Sequence, residues 1–103
     1  MPSSCRPPRW AACFGHAGDG NIHTNLMVEN YDDPAVRAHA EEALDLLFTW
    51  ILENDGVITG EHGVGLAKKR WFPDAVGECG VSTHVALKEA LDPKGILNPG
   101  KFV

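Results

Sequence analysis

Residues 14–23 read FGHAGDGNIH. Two histidines, His16 and His23, bracket a stretch rich in glycine, and an ordinary turn needs no imidazole at either end. Trp10 to His16 is apolar enough to read as a strand. From Asn21 to Val28 the residues alternate, with Ile22, Thr24, Leu26 and Val28 on one side and His23, Asn25 and Met27 on the other, which is the period of a second strand. Asp19-Gly20 between them is a strong two-residue hairpin signal. With those two residues as the loop, His16 falls directly opposite His23, Cβ atoms about 4.5–5.5 Å apart, and Asn25 shares their face. Two neutral imidazoles at that spacing can share one divalent metal, since zinc–nitrogen bonds are about 2.0–2.1 Å. A third ligand is then needed. GEHGVG at residues 60–65 again sets metal-binding residue types among glycines, so Glu61 and His62 are its natural source. Either motif alone favours the blander reading, for the histidines a polar hairpin edge, over a site; both together in one short chain shift the balance towards a site.

The chain has 103 residues, room for one small domain. It is 44% hydrophobic and 22% charged, an ordinary composition for a soluble protein. A formal charge of −5 argues against a nucleic-acid surface. No stretch is long and apolar enough for a membrane span. Cys5, Cys13 and Cys79 are odd in number and far apart, forming neither a disulfide framework nor a CxxC pair; a reducing cytoplasm is the expectation. Residues 1–10, MPSSCRPPRW, hold three prolines and no apolar run of a secretory signal. They are expected to be irregular or disordered, with the domain in residues 11–103.

The remaining elements follow from caps and periodicity. Asp33-Pro34 opens a helix, with Asp33 as cap and Pro34 at the first helical position. Val36, Ala40, Ala43, Leu44, Leu47 and Ile51 form its apolar stripe, enlarged by Phe48 and Trp50. Asn54-Asp55-Gly56 closes it, with Gly56 expected at C′. Val57 to Thr59 reads as a short strand, Leu66 to Trp71 as one or two helical turns, Phe72 to Gly80 as irregular, and Ser82 to Leu91 as a second helix stopped by Asp92-Pro93. The tail GILNPGKFV is expected to be extended and turn-rich. His39 and His84 are expected on solvated helix faces.

Three segments, FGHAGDGNIH, GEHGVGLAKK and ALDPKGILNPGK, resemble in that order the C-terminal domain of the FAD-linked oxidases. That family, of the vanillyl-alcohol oxidase class, includes the glycolate oxidase FAD-binding subunit, D-lactate dehydrogenases and D-2-hydroxyglutarate dehydrogenase. The resemblance covers about Phe14 to Lys101. It implies an α+β fold: part of an antiparallel-sheet cap domain, with a β-hairpin and two main helices, over a flavin held by a separate domain absent from these residues. It implies oxidation of a D-2-hydroxy acid, of glycolate, D-lactate or D-2-hydroxyglutarate type, to the 2-oxo acid. His16, His23 and Glu61 match the positions that bind a divalent metal, zinc or manganese. His62 matches the base or substrate contact, Asn25 a substrate contact, and Asn98 a residue close to FAD. Implied partners are the small hydroxy acid, an FAD-binding domain or subunit and an iron–sulfur subunit. Few strands and a broad apolar helix face add an expectation of self-association.

Two readings from other classes stay open. One is a stand-alone metal-binding or interaction module derived from such an enzyme. The other is a small hydrolase with a His/His/Glu zinc site and His62 or Asp19 as base. The GILNPGK tail has no role in the hydrolase.

Overall fold

The computed structural model describes residues 10–103. The order of elements is β1 (Trp10–His16), a 3-10 turn (Ala17–Asp19), β2 (Asn21–Met27), α1 (Pro34–Glu53), a second 3-10 turn (Lys69–Trp71) and α2 (Phe72–Leu91). This is the α+β arrangement of one antiparallel hairpin and two long helices that the sequence implies. Residues 1–9, most of the segment expected to be irregular, lie outside the described residues together with Cys5, and Trp10 opens β1. The described residues form two compact units, which divide between Trp50 and Ile51.

In the first unit, α1 begins as its sequence dictates. The Asp33 carboxylate accepts a hydrogen bond from the Ala35 amide at 2.9 Å, and the Asp33 carbonyl takes the first helical bond, from Arg37, at 2.9 Å. Pro34 has no N–H to leave unpaired. Ala40 and Phe48 are buried, and the rest of the expected stripe is half-buried. Trp50 departs from it: the indole is exposed, as is Leu46.

The helix ends one residue differently from expectation. Asp55, not Gly56, takes the left-handed conformation at C′, with φ 60°. The Asp55 amide bonds the Leu52 carbonyl and the Gly56 amide bonds the Ile51 carbonyl at 2.8 Å, the two bonds of a Schellman ending. Gly56 therefore stands at C″. A Cβ there would lie 2.9 Å from the Ile51 carbonyl oxygen and 2.6 Å from its Cγ2, so glycine is needed for close approach rather than for a positive φ.

In the second unit the expected strand at Val57–Thr59 does not form. Ile58 is buried as a single anchor and Val57 is exposed; a β-branched run is a strand only where another strand pairs with it. The helix read as Ser82–Leu91 is longer. It begins at Phe72, with proline in its first turn, and includes the Phe72–Gly80 stretch expected to be irregular. Gly77, at φ 70° and ψ 178°, breaks the helical path and joins two helical pieces across a kink. Buried Trp71 and Phe72 fix the start of this element, and such packing outweighs the weak helix propensity of glycine.

His84 is also corrected. It is half-buried rather than solvated: Nδ1 donates to the Gly80 carbonyl at 2.7 Å, and its ring meets those of Phe72 and Phe102 edge-on at 4.9 and 5.6 Å. The two phenylalanines meet each other at 5.1 Å. The C-terminal residues are thus clamped onto α2. Between helix and clamp, the buried Asp92 carboxylate accepts hydrogen bonds from the amides of Ile96 (3.1 Å) and Leu97 (3.0 Å) and from Lys88 Nζ (2.6 Å). The tail is turn-rich as expected.

The Lys88 hydrogen bond, helped by the Leu97 and Ile96 amides and opposed by burial, holds the Asp92 carboxyl below its ordinary value of 3.8. A depressed carboxylate value means stabilisation that is present above the unfolded value and lost as pH falls through the folded one. Acid titration followed by the Ile96 and Leu97 amide resonances is expected to show these bonds intact at pH 5 and released with a midpoint below 3.8. A midpoint at or above that value would contradict the arrangement.

Candidate functional site

The hairpin registers Phe14 opposite His23, Gly15 opposite Ile22 and His16 opposite Asn21. The expected direct pairing of His16 with His23 is therefore incorrect. Ala17–Asp19 form a 3-10 turn, and Gly20 closes it at φ 69° with its amide on the Ala17 carbonyl. Asp19 and Gly20 are the last two residues of a four-residue loop, not the whole of a two-residue one. The change moves His23 two positions along its strand, and an even displacement keeps every side chain on its face. His16 and His23 are thus diagonal neighbours on one face, ring centroids 6.5 Å apart and steeply inclined at 70°. Diagonal pairs remain within reach when the side chains are long or aromatic.

Gly15 fixes this register. Its φ is 153°, and a Cβ on it would lie 2.2 Å from the Asn21 carbonyl oxygen. Only glycine lets the two strands meet there. Phe14 stands directly across from His23, ring centroids 5.2 Å apart; the sequence reading did not single it out, though its place two residues before His16 puts it on the same face. Asn25 lies on that face as well, two residues beyond His23, and is exposed. His23 is half-buried and His16 exposed.

Glu61 and His62 lie on an exposed loop of the second unit. The Thr59 hydroxyl accepts from the Gly63 amide at 2.9 Å, closing the loop beneath them. Gly63 and Gly65 hold φ of 78° and 55°, conformations that cost most side chains free energy. A Glu61 carboxylate oxygen and a His62 ring nitrogen lie within 4.8 Å of each other. Asn98 is exposed at φ 46°, in the turn closed by the Lys101 amide on the Asn98 carbonyl at 3.2 Å. Asparagine tolerates that left-handed geometry better than most residues. Each unit thus presents its share of the expected set: His16, His23 and Asn25 on the hairpin, and Glu61, His62 and Asn98 on the loop and tail. Imidazole and carboxylate groups, the residue types presented by the two units, are ones that bind divalent metals.

A family model described as FAD linked oxidases, C-terminal domain, matches residues 9–102. The chain belongs to this family. It is 42% identical over 91 residues to glycolate oxidase subunit GlcD of Bacillus subtilis, covering 86% of this chain and 19% of that one. It is 38% identical over 91 residues to D-lactate dehydrogenase [cytochrome] 1, mitochondrial, of Saccharomyces cerevisiae, covering 88% and 15%. Over 90 residues it is 39% identical to a probable mitochondrial D-lactate dehydrogenase of Danio rerio, covering 86% and 18%. The chain therefore spans less than a fifth of the length of these relatives. No solved structure is significantly similar to it. Among the described residues no helix is long and apolar enough to cross a membrane.

Gly15→Ala is expected to destabilise the hairpin by about 1–3 kcal/mol, the scale of a strained backbone position, and to separate the two histidines. Loss of nuclear Overhauser contacts between the rings of Phe14 and His23, with α1 contacts retained, would show it. An unaltered hairpin spectrum would mean that Gly15 does not set the register.

Proposed function

We propose that this chain is the C-terminal part of a flavin-dependent dehydrogenase or oxidase that converts a small D-2-hydroxy acid, of the glycolate, D-lactate or D-2-hydroxyglutarate type, into the 2-oxo acid. The observation that carries the reading is the placing of His16, His23 and Asn25 on one hairpin face, in a chain of the FAD-linked oxidase family whose relatives bear glycolate oxidase and D-lactate dehydrogenase names.

In this reading His16, His23 and Glu61 hold a divalent ion, zinc or manganese. When bound, such an ion supplies positive charge that makes a nearby hydroxyl easier to deprotonate. Asn25 binds and orients the substrate. A neutral His62 accepts the hydroxyl proton at a ring nitrogen, as a group whose ordinary value lies near neutrality is suited to do. Hydride leaves the substrate α-carbon as the carbonyl forms; the flavin, held mainly by an FAD-binding domain or subunit, supplies the acceptor chemistry. Asn98 lies against the flavin in the assembled enzyme. An iron–sulfur subunit is a further partner on the electron-acceptor side.

Cobalt(II) titration of the chain, followed by visible absorption, tests the metal set. Binding is expected to weaken by about tenfold or more in His16→Ala and in His23→Ala; equal affinity in all three proteins would contradict it. The chain alone is expected to bind no FAD. Combined with a family FAD-binding domain, it is expected to support flavin reduction by a D-2-hydroxy acid, and His62→Ala is expected to slow that step about 10²–10⁴-fold. Reduction at the wild-type rate by the His62 variant would remove the proposed base. The exposed Leu46 and Trp50 of α1 further support self-association of the isolated chain; sedimentation as a monomer at high micromolar concentration would count against that.

A further inference from the structure

Lys68, Lys69 and Arg70 lie just beyond the glycine-rich loop at residues 60–65, separated from it by Leu66 and Ala67. Basic residues in such a place are the usual expectation for an anion site. Lys69 has a different occupation. Its Nζ donates to the Gly100 carbonyl at 2.9 Å, across 31 positions of sequence. Lys88 does the same from α2: its Nζ meets both the Asp92 carboxylate at 2.6 Å and the Leu97 carbonyl. The two ammonium groups thus grip the tail at main-chain oxygens on either side of Asn98-Pro99, while Asp92 binds the amides of Ile96 and Leu97 from the helix end.

The other end of Lys69 is fixed as firmly. The loop that carries Glu61 and His62 is closed by Thr59 on Gly63. It passes through turns in which the Lys68 amide bonds the Val64 carbonyl at 3.1 Å and the Lys69 amide bonds the Leu66 carbonyl at 3.4 Å. Lys69 then begins the 3-10 turn that runs into buried Trp71 and Phe72. Lys69 is therefore tied by its main chain to Leu66, in the turn that leads out of the loop, and by its side chain to the tail. A hydrogen bond from an ammonium group to a carbonyl is among the stronger ones a protein makes. Main-chain acceptors also make it indifferent to the identity of the tail side chains.

We propose that Lys69 is a positioning residue which sets the tail around Asn98 in register with the loop of Glu61 and His62, with Lys88 and Asp92 as its second anchor. This rests on the functional reading above, in which His62 handles the substrate proton and Asn98 lies against the flavin. On that reading Lys69 touches neither substrate nor cofactor. It fixes the relation between the group that receives the proton and the segment that borders the hydride acceptor, and misplacement on the order of 1 Å can slow such a transfer about 100-fold.

The wild-type chain gives the first test. Nuclear Overhauser contacts between the Lys69 side-chain methylenes and Gly100 are expected, as the hydrogen bond from Nζ to the Gly100 carbonyl requires, and their absence in the folded chain would overturn the proposal. In Lys69→Met the Lys101 amide, which bonds the Asn98 carbonyl, is expected to exchange about ten- to a hundredfold faster, with α1 amides unchanged and Lys69→Arg close to wild type. Exchange at Lys101 equal in all three would overturn it. In the chain combined with a family FAD-binding domain, Lys69→Met is expected to lower the limiting rate of flavin reduction with unchanged half-saturating substrate, and Lys69→Arg to restore it. An unaltered rate would leave Lys69 a purely structural clasp and defeat the positioning role. If the wild-type combination reduces no flavin, the functional reading fails, while the two measurements on the chain still decide the clasp.

Discussion

The carbonyl oxygen of Asn21 lies where a side chain at position 15 would have to be, 2.2 Å from the place of its Cβ. That close approach leaves glycine as the residue for position 15 and locks β1 against β2 in a single register. From it follows the diagonal relation of His16 and His23, the direct pairing of Phe14 with His23, and the presence of Asn25 on the same face. The 3-10 turn and the left-handed Gly20 are how the loop meets that register. A shift of one residue would send the histidines to opposite faces, so the chemistry proposed for the hairpin depends on a glycine that contributes no chemistry itself.

The second unit achieves order by other means. Its regular structure is a kinked helix and a 3-10 turn, and its loop and tail have no ladder to hold them. Side chains supply the missing partners: Thr59 for the Gly63 amide, Asp92 for the Ile96 and Leu97 amides, Lys69 and Lys88 for the Gly100 and Leu97 carbonyls. Main-chain groups outside regular secondary structure take their partners from side chains or from water. The aromatic contacts of Phe72, His84 and Phe102 then close the terminus over α2.

How far this was legible in the sequence depended on whether the deciding interaction was local. The cap of α1 could be read from Asp33-Pro34, and the faces of the second strand from its alternation. The two histidines share a face in either register, but Asp-Gly is the signal of a two-residue turn as well as the end of a four-residue one, so the turn signal alone does not fix which residue His16 opposes. Gly56 marks the end of α1 but not its own place in it, since a glycine needed for close approach looks the same in sequence as one needed for a positive φ. The first turns of α2 were hidden by Gly77 and Gly80, which argue against helix, while the burial of Trp71 and Phe72 that favours it is tertiary. His84 looked like a surface residue because Phe72 and Phe102 are far from it in the chain. The Lys88–Asp92 spacing of four was a readable sign of the tail anchor; the contact of Lys69 with Gly100 had no local sign.

In the proposed function His16 and His23 act as one pair of ligands. Nitrogen-15 labelling of the histidines and titration with zinc(II), read through two-bond couplings to the ring nitrogens, tests it most directly. Resonances of His16 and His23 are expected to shift together and saturate at one equivalent, while those of His39 and of His84, whose Nδ1 is committed to the Gly80 carbonyl, stay in place. Shifts of His16 and His23 at separate zinc concentrations, or shifts confined to His39 and His84, would contradict it.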